Sequence, residues 1–99
     1  METRNVNLSV VLGLAERVIE GRKAQGLHVV DLGQRDLYHI IPEDQRFSPY
    51  DLPQGPFSMG SLTDDLTELM HLLRDPDRAA TPVDVARLGH VLCALAAAM

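Results

Sequence analysis

Apolar positions recur at helical spacing in three stretches of the chain. In residues 8–25, Leu8, Val11, Leu12, Ala15, Val18 and Ile19 form one stripe, which predicts an amphipathic helix over about 7–25. Asn5 or Asn7 can cap its start, and Gly26 can end it by entering the left-handed conformation. Arg22 and Lys23 fall in the last turn, where the helix dipole favours cations, and Glu16, Arg17 and Glu20 face water. Leu62, Leu66, Leu69, Met70 and Leu73 predict a second helix over about 61–75. Ser61 is its N-cap, Asp64 stands where a capping-box partner would, and Pro76 breaks it. The third start is the clearest: Thr81 as cap, Pro82 at the first helical position and Asp84 three residues after the cap predict a helix over about 82–98. Val85, Leu88, Leu92, Leu95 and Met99 repeat along it at a/d spacing, beside the small Ala86, Gly89, Cys93 and Ala96. From Val91 onward this helix is apolar almost all round, so either it lies at the centre of the fold or its end lies in a dimer interface.

Between the first and second helices the period changes. "LHVVDLGQRDLYHIIP" holds two short Val/Ile-rich runs split by Gly33–Asp36, which predicts a small β-hairpin over about 27–41. Pro42, Pro49, Pro53 and Pro56 then make residues 42–60 an irregular connection, since proline lacks an N–H and restricts its predecessor. All four aromatic residues, Tyr38, Phe47, Tyr50 and Phe57, lie here. The expectation is that the rings anchor the connection on the core; the alternative is an exposed aromatic binding surface. The architecture expected is a mainly α, three-helix single domain with the hairpin and the proline-rich connection on one side.

Composition narrows the function. The net charge is −5, with residues 1–26 at +1 and residues 27–60 and 61–99 at −3 each. No basic patch is visible, which argues against a nucleic-acid partner. Eight of nine basic residues are Arg, and with the abundant Ala and Leu this usage points to a GC-rich bacterial genome. Cys93 is the only cysteine, which fits a reducing compartment. With no signal-peptide pattern and no apolar run longer than nine residues, "VLCALAAAM", the expected location is the cytoplasm, without membrane attachment.

Candidate chemistry concentrates in "GSLTDDLTELMHLL", residues 60–73, which sets Asp64, Asp65, Glu68 and His71 within eight positions. The cap and the dipole account for Asp64 and Asp65 in a first helical turn. Glu68-x-x-His71 is one copy of a spacing used by di-iron helix bundles, which need a second copy that this chain lacks. Asp36-x-x-His39 lies in the expected hairpin, where that spacing puts the side chains on opposite faces. One cysteine and four scattered histidines do not make a zinc site. Cys93 and His90 are three residues apart on one helix, but the apolar surroundings predict a buried, inert thiol. No phosphate loop, dinucleotide fingerprint or nucleophile elbow is present.

Residues 37–73 resemble a group of small uncharacterised bacterial proteins. The shared pattern is an aromatic-bearing strand, a proline turn, a Tyr-Asp stretch and an apolar-Gly-(Ser/Gln)-Leu-x-Asp-Asp helix start. Here these are Tyr38, Pro42, Tyr50–Asp51 and Met59–Gly60–Ser61–Leu62–Thr63–Asp64–Asp65; His39 stands where the pattern has Trp. The resemblance implies a small α-rich fold and supplies no catalytic residue, cofactor or metal ligand.

The function expected is therefore a non-enzymatic, acidic protein-interaction domain. Asp64, Asp65, Glu68, His71 and Tyr50 would form its surface, and a basic partner would be met as immunity and antitoxin-like proteins meet theirs. One alternative is a small metal- or ligand-binding domain using Glu68 and His71. Another is a structural domain that forms a homodimer through the C-terminal helix.

Overall fold

The computed structural model describes residues 4–50 and 52–99, so Asp51 of the Tyr-Asp stretch lies outside the described residues. The chain is mainly α with one two-stranded antiparallel sheet: α1 (Leu8–Ala24), β1 (Leu37–Ile40), α2 (Glu43–Arg46), β2 (Ser58–Ser61), α3 (Leu62–Arg74) and α4 (Pro82–Ala98). It divides into two compact units, Met1–Val30 and Asp31–Met99.

The first unit holds α1. Asn7 is its N-cap, Oδ1 accepting the Ser9 N–H at 2.8 Å. At the other end Gly26 takes φ 89°, its N–H donates to the Lys23 carbonyl, and the Leu27 N–H donates to the Arg22 carbonyl. That pair of bonds is a Schellman stop and accounts for the glycine. A single helix has no second element within its own unit to cover an apolar stripe, and none of the α1 residues is buried.

The second unit is built on α3 packed against α4. Both helices start on the caps read from sequence. Ser61 Oγ accepts the Asp64 N–H at 3.3 Å, and Thr81 with Asp84 forms a complete capping box. Pro76 lies just past the end of α3, whose C-cap is Asp75. Leu62 and Val91 are the buried apolar residues at the α3–α4 contact.

The sheet differs from the expected hairpin in its second strand. The turn at Leu32–Arg35 does form, with Gly33 at φ 63° and its N–H on Asp31 Oδ1. Residues 27–32 nevertheless form no strand; β1 pairs forward with β2, in the register Leu37↔Ser61, Tyr38↔Gly60, His39↔Met59 and Ile40↔Ser58. Two interactions select that register. Asp36 docks on the start of α3, immediately after β2, and the Tyr38 ring needs a residue without a side chain opposite it, which Gly60 supplies.

The aromatic residues divide between the two expectations. Tyr38 and Phe57 are half-buried, whereas Phe47 and Tyr50 stand out from the 41–57 connection. Cys93 corrects the sequence reading: it is exposed. The face of α4 turned inward carries Asp84, Arg87, Val91 and Ala94, and Cys93 lies outside that arc.

Candidate functional site

The start of α3 is where the most distant parts of the second unit meet. The Asp36 carboxylate accepts from the Thr63 N–H at 2.8 Å and from Ser61 Oγ at 3.0 Å, while its carbonyl accepts the Leu62 N–H at 2.9 Å. The N–H groups that could have held an anion are thus taken within the fold, that of Thr63 by the Asp36 carboxylate, that of Leu62 by the Asp36 carbonyl and that of Asp64 by Ser61 Oγ. These bonds, led by the Thr63 N–H, hold the Asp36 carboxyl below the ordinary carboxylate range.

One turn further on, Asp65 is buried. The Tyr38 hydroxyl, carried on β1, donates to Asp65 Oδ2. The other face of the Tyr38 environment is His90 on α4, with ring centroids 4.3 Å apart and planes inclined at 38°. His90 Nδ1 lies 3.8 Å from Asp65 Oδ2, beyond hydrogen-bonding distance, and is buried without a hydrogen-bond partner among the described residues. The Tyr38 hydroxyl is pushed up to about 12, first by burial and then by the hydrogen bond and charge of Asp65. A phenol held protonated in this way serves as a donor at neutral pH and not as a base or nucleophile. Tyr38, Asp65 and His90 therefore tie β1, α3 and α4 together. Beside them lies a cleft of about 340 Å³, walled by Leu37, Leu62, Cys93 and Ala94, with Arg35 and His39 among its polar lining.

A second polar cluster joins the middle of α3 to the start of α4. Arg78 Nη1 donates to the Glu68 carbonyl at 2.7 Å, and its Nη2 lies 3.3 Å from Glu68 Oε2 and 3.2 Å from Asp84 Oδ1. Arg87 Nη1 also reaches Asp84 Oδ1, at 2.9 Å. Asp84 is buried, and its carboxyl is held below the ordinary range, first by the Thr81 N–H; burial opposes the shift, and Arg87, the Thr81 hydroxyl and Arg78 add to it. This is a charge-paired clamp around a helix cap, with every carboxylate oxygen of Asp84 in a hydrogen bond.

The residues expected to form an acidic surface separate in space. Asp64 is exposed in the first turn of α3. Asp65 is inside, bonded to Tyr38. Glu68 is engaged by Arg78. His71 is exposed and shares a shallow surface depression with Glu68, Arg74, Asp75 and Arg78. Tyr50 belongs to the connection after α2 and is exposed. Among the described residues no group of three His, Cys, Asp or Glu side chains is placed to hold a metal ion, and the two arginines beside Glu68 and His71 would oppose a cation there.

Sequence reasoning gave no role to Asp36, Gly60 or Arg78, and it read Asp65 by its position in a helical turn. Tyr38, Gly60, Ser61, Leu62 and Asp65 meet at the α3 start. No family model matches this chain, and neither a curated protein nor a solved structure matches it significantly.

Proposed function

We propose that the chain is a non-enzymatic protein-interaction domain that engages its partner through Phe47, Tyr50 and Leu52. The observation that carries this reading is their exposure: 76%, 93% and 84% within six residues. Large apolar groups clustered on a surface mark contact sites, and tyrosine and other aromatics are the residues on which binding energy concentrates. The internal commitments of Asp36, Asp65, Glu68 and Asp84 support the same reading from the other side, because groups already paired inside a fold are poor candidates for chemistry. Glu43 and Asp44, exposed on the neighbouring α2, suit a basic partner by raising the encounter rate more than the affinity. An immunity or antitoxin-like role in the bacterial cytoplasm belongs to this proposal as its most specific form.

The test starts from an affinity capture of partners from cell extract, followed by purification of the captured protein and titration calorimetry. The triple variant Phe47→Ala, Tyr50→Ala, Leu52→Ala should weaken binding by a factor of about 100 or more, while its circular dichroism stays that of the parent. Unchanged affinity of the triple variant sinks the proposal.

A further inference from the structure

The cleft beside Tyr38 and His90 is lined within the second unit, and burial divides its lining. Leu62 is buried and Tyr38, His90 and Ala94 are half-buried, so these four form the inner wall. Arg35, Leu37, His39 and Cys93 are exposed and form the rim. The inner wall offers little to a polar group: the Tyr38 hydroxyl already donates to Asp65, and His90 Nδ1 is buried. Two residues of opposite charge also line the cleft, and they differ in what they hold. The Asp36 carboxylate is committed to the Thr63 N–H and the Ser61 hydroxyl. Arg35 has no ion-pair partner among the described residues; its Nη1 donates to the Leu32 carbonyl at 3.3 Å.

We infer that this cleft binds a small carboxylate, with a flat apolar body against Leu62, Tyr38, His90 and Ala94 and its carboxylate on the Arg35 guanidinium. An apolar wall supplies the contact area of a ligand site, and a polar group at one edge fixes the orientation. The guanidinium is a planar fork of donors that matches a carboxylate with two parallel bonds. A volume of about 340 Å³ is at the lower end for ligand sites and, at about 30 Å³ for each water-sized group, holds about ten non-hydrogen atoms. A helix is about 10–12 Å across with its side chains, too wide to enter such a space. An apolar side chain could fill the wall but would leave Arg35 without a counter-charge. A ligand of this size binds with a dissociation constant on the order of millimolar. None of the lining residues belongs to the Phe47–Leu52 surface, so the two readings stand or fall separately.

Phenylacetate has the size, the flat ring and the carboxylate required, and phenylacetamide is its uncharged counterpart. Nuclear magnetic resonance titration of the full chain to about 20 mM should show phenylacetate saturating, with the shifts centred on Leu62, His90 and Ala94. Phenylacetamide should bind about 10-fold more weakly. Arg35→Gln should weaken phenylacetate by the same factor and leave phenylacetamide unchanged. Arg35 is exposed and makes no ion pair among the described residues, so this variant should keep the parental circular dichroism. Bound phenylacetate should also slow the reaction of Cys93, on the rim, with a small disulfide reagent in proportion to occupancy. The triple alanine variant of residues 47, 50 and 52 should bind phenylacetate as the parent does. Absence of saturation over the range overturns the inference, and a cleft already filled by another part of the chain would give that result. Equal affinity for the acid and the amide overturns it too, as does a Cys93 thiol that reacts at the parental rate when phenylacetate is saturating.

Discussion

Replacing Gly60 by alanine tests the geometry at the α3 start with one methyl group. Tyr38 and Gly60 are cross-strand partners, and the tyrosine ring lies over the glycine. A Cβ built at Gly60 meets Tyr38 Cε2 at 2.5 Å and Oη at 2.6 Å, against ordinary contacts of 3.4–4 Å. The ring must therefore retreat by about 1 Å. It cannot do so and still donate to Asp65 while stacking on His90. Overpacking costs about 1–3 kcal/mol and loss of a donor to a buried carboxylate about 1.5–3 kcal/mol. The two overlap, so the expected loss is about 3 kcal/mol. Urea unfolding followed by circular dichroism would show a midpoint lowered by about 2 M for an m-value near 1.5 kcal/mol/M. The decisive measurement is the same substitution in a Tyr38→Ala background. With the ring gone, Gly60→Ala should cost less than about 0.5 kcal/mol, or stabilise, since alanine restricts the unfolded chain more than glycine does. An equal cost in both backgrounds refutes the idea that the glycine exists to seat the ring.

Three further outcomes follow from the same contacts. Because the Tyr38 pKa is raised to about 12 in the folded protein, its contribution to stability is complete below about pH 10 and is lost as pH rises toward 12; absorbance at 295 nm should show one tyrosine ionising late, and Asp65→Asn should bring that ionisation down. Arg78→Ala should destabilise the chain more than Glu68→Ala in thermal unfolding, since Arg78 serves both the Glu68 carbonyl and, together with Arg87, the buried Asp84, whereas the half-exposed Glu68 side chain contributes about 1 kcal/mol or less. Cys93 should react completely with a small disulfide reagent in the native protein, as an exposed thiol does; reaction only on unfolding would contradict its placement.

The parts of this fold that are local in sequence were legible. Asn7, Ser61 and Thr81 announce their helices because a cap and the N–H it serves are two or three residues apart. The helical period of α3 was readable for the same reason, but its stripe does not all face the core: Leu62 at its head is buried, whereas Leu66, Met70 and Leu73 are exposed. What escaped depends on pairings that no periodicity encodes. The partner of β1 lies across the proline-rich connection, and once Gly60 is set against Tyr38, Asp65 comes under the tyrosine hydroxyl. Before that pairing is known, Asp65 looks like any acidic residue in a first helical turn. Cys93 escaped for the opposite reason. A helix that is apolar nearly all round does not say which side its neighbour covers, so a cysteine on the uncovered side reads as buried.

Asp36 has a consequence for how this chain tolerates change. By holding Ser61, Leu62 and Thr63 it closes the neck of a loop whose body is the 41–57 connection. With its ends fixed by those bonds and by the β1–β2 ladder, the body is free to vary in length: doubling a flexible loop adds only about 0.6 kcal/mol of closure entropy. The connection is thus a natural insertion point, where a longer or foreign sequence can be displayed from the α3–α4 pair without altering the packing beneath it.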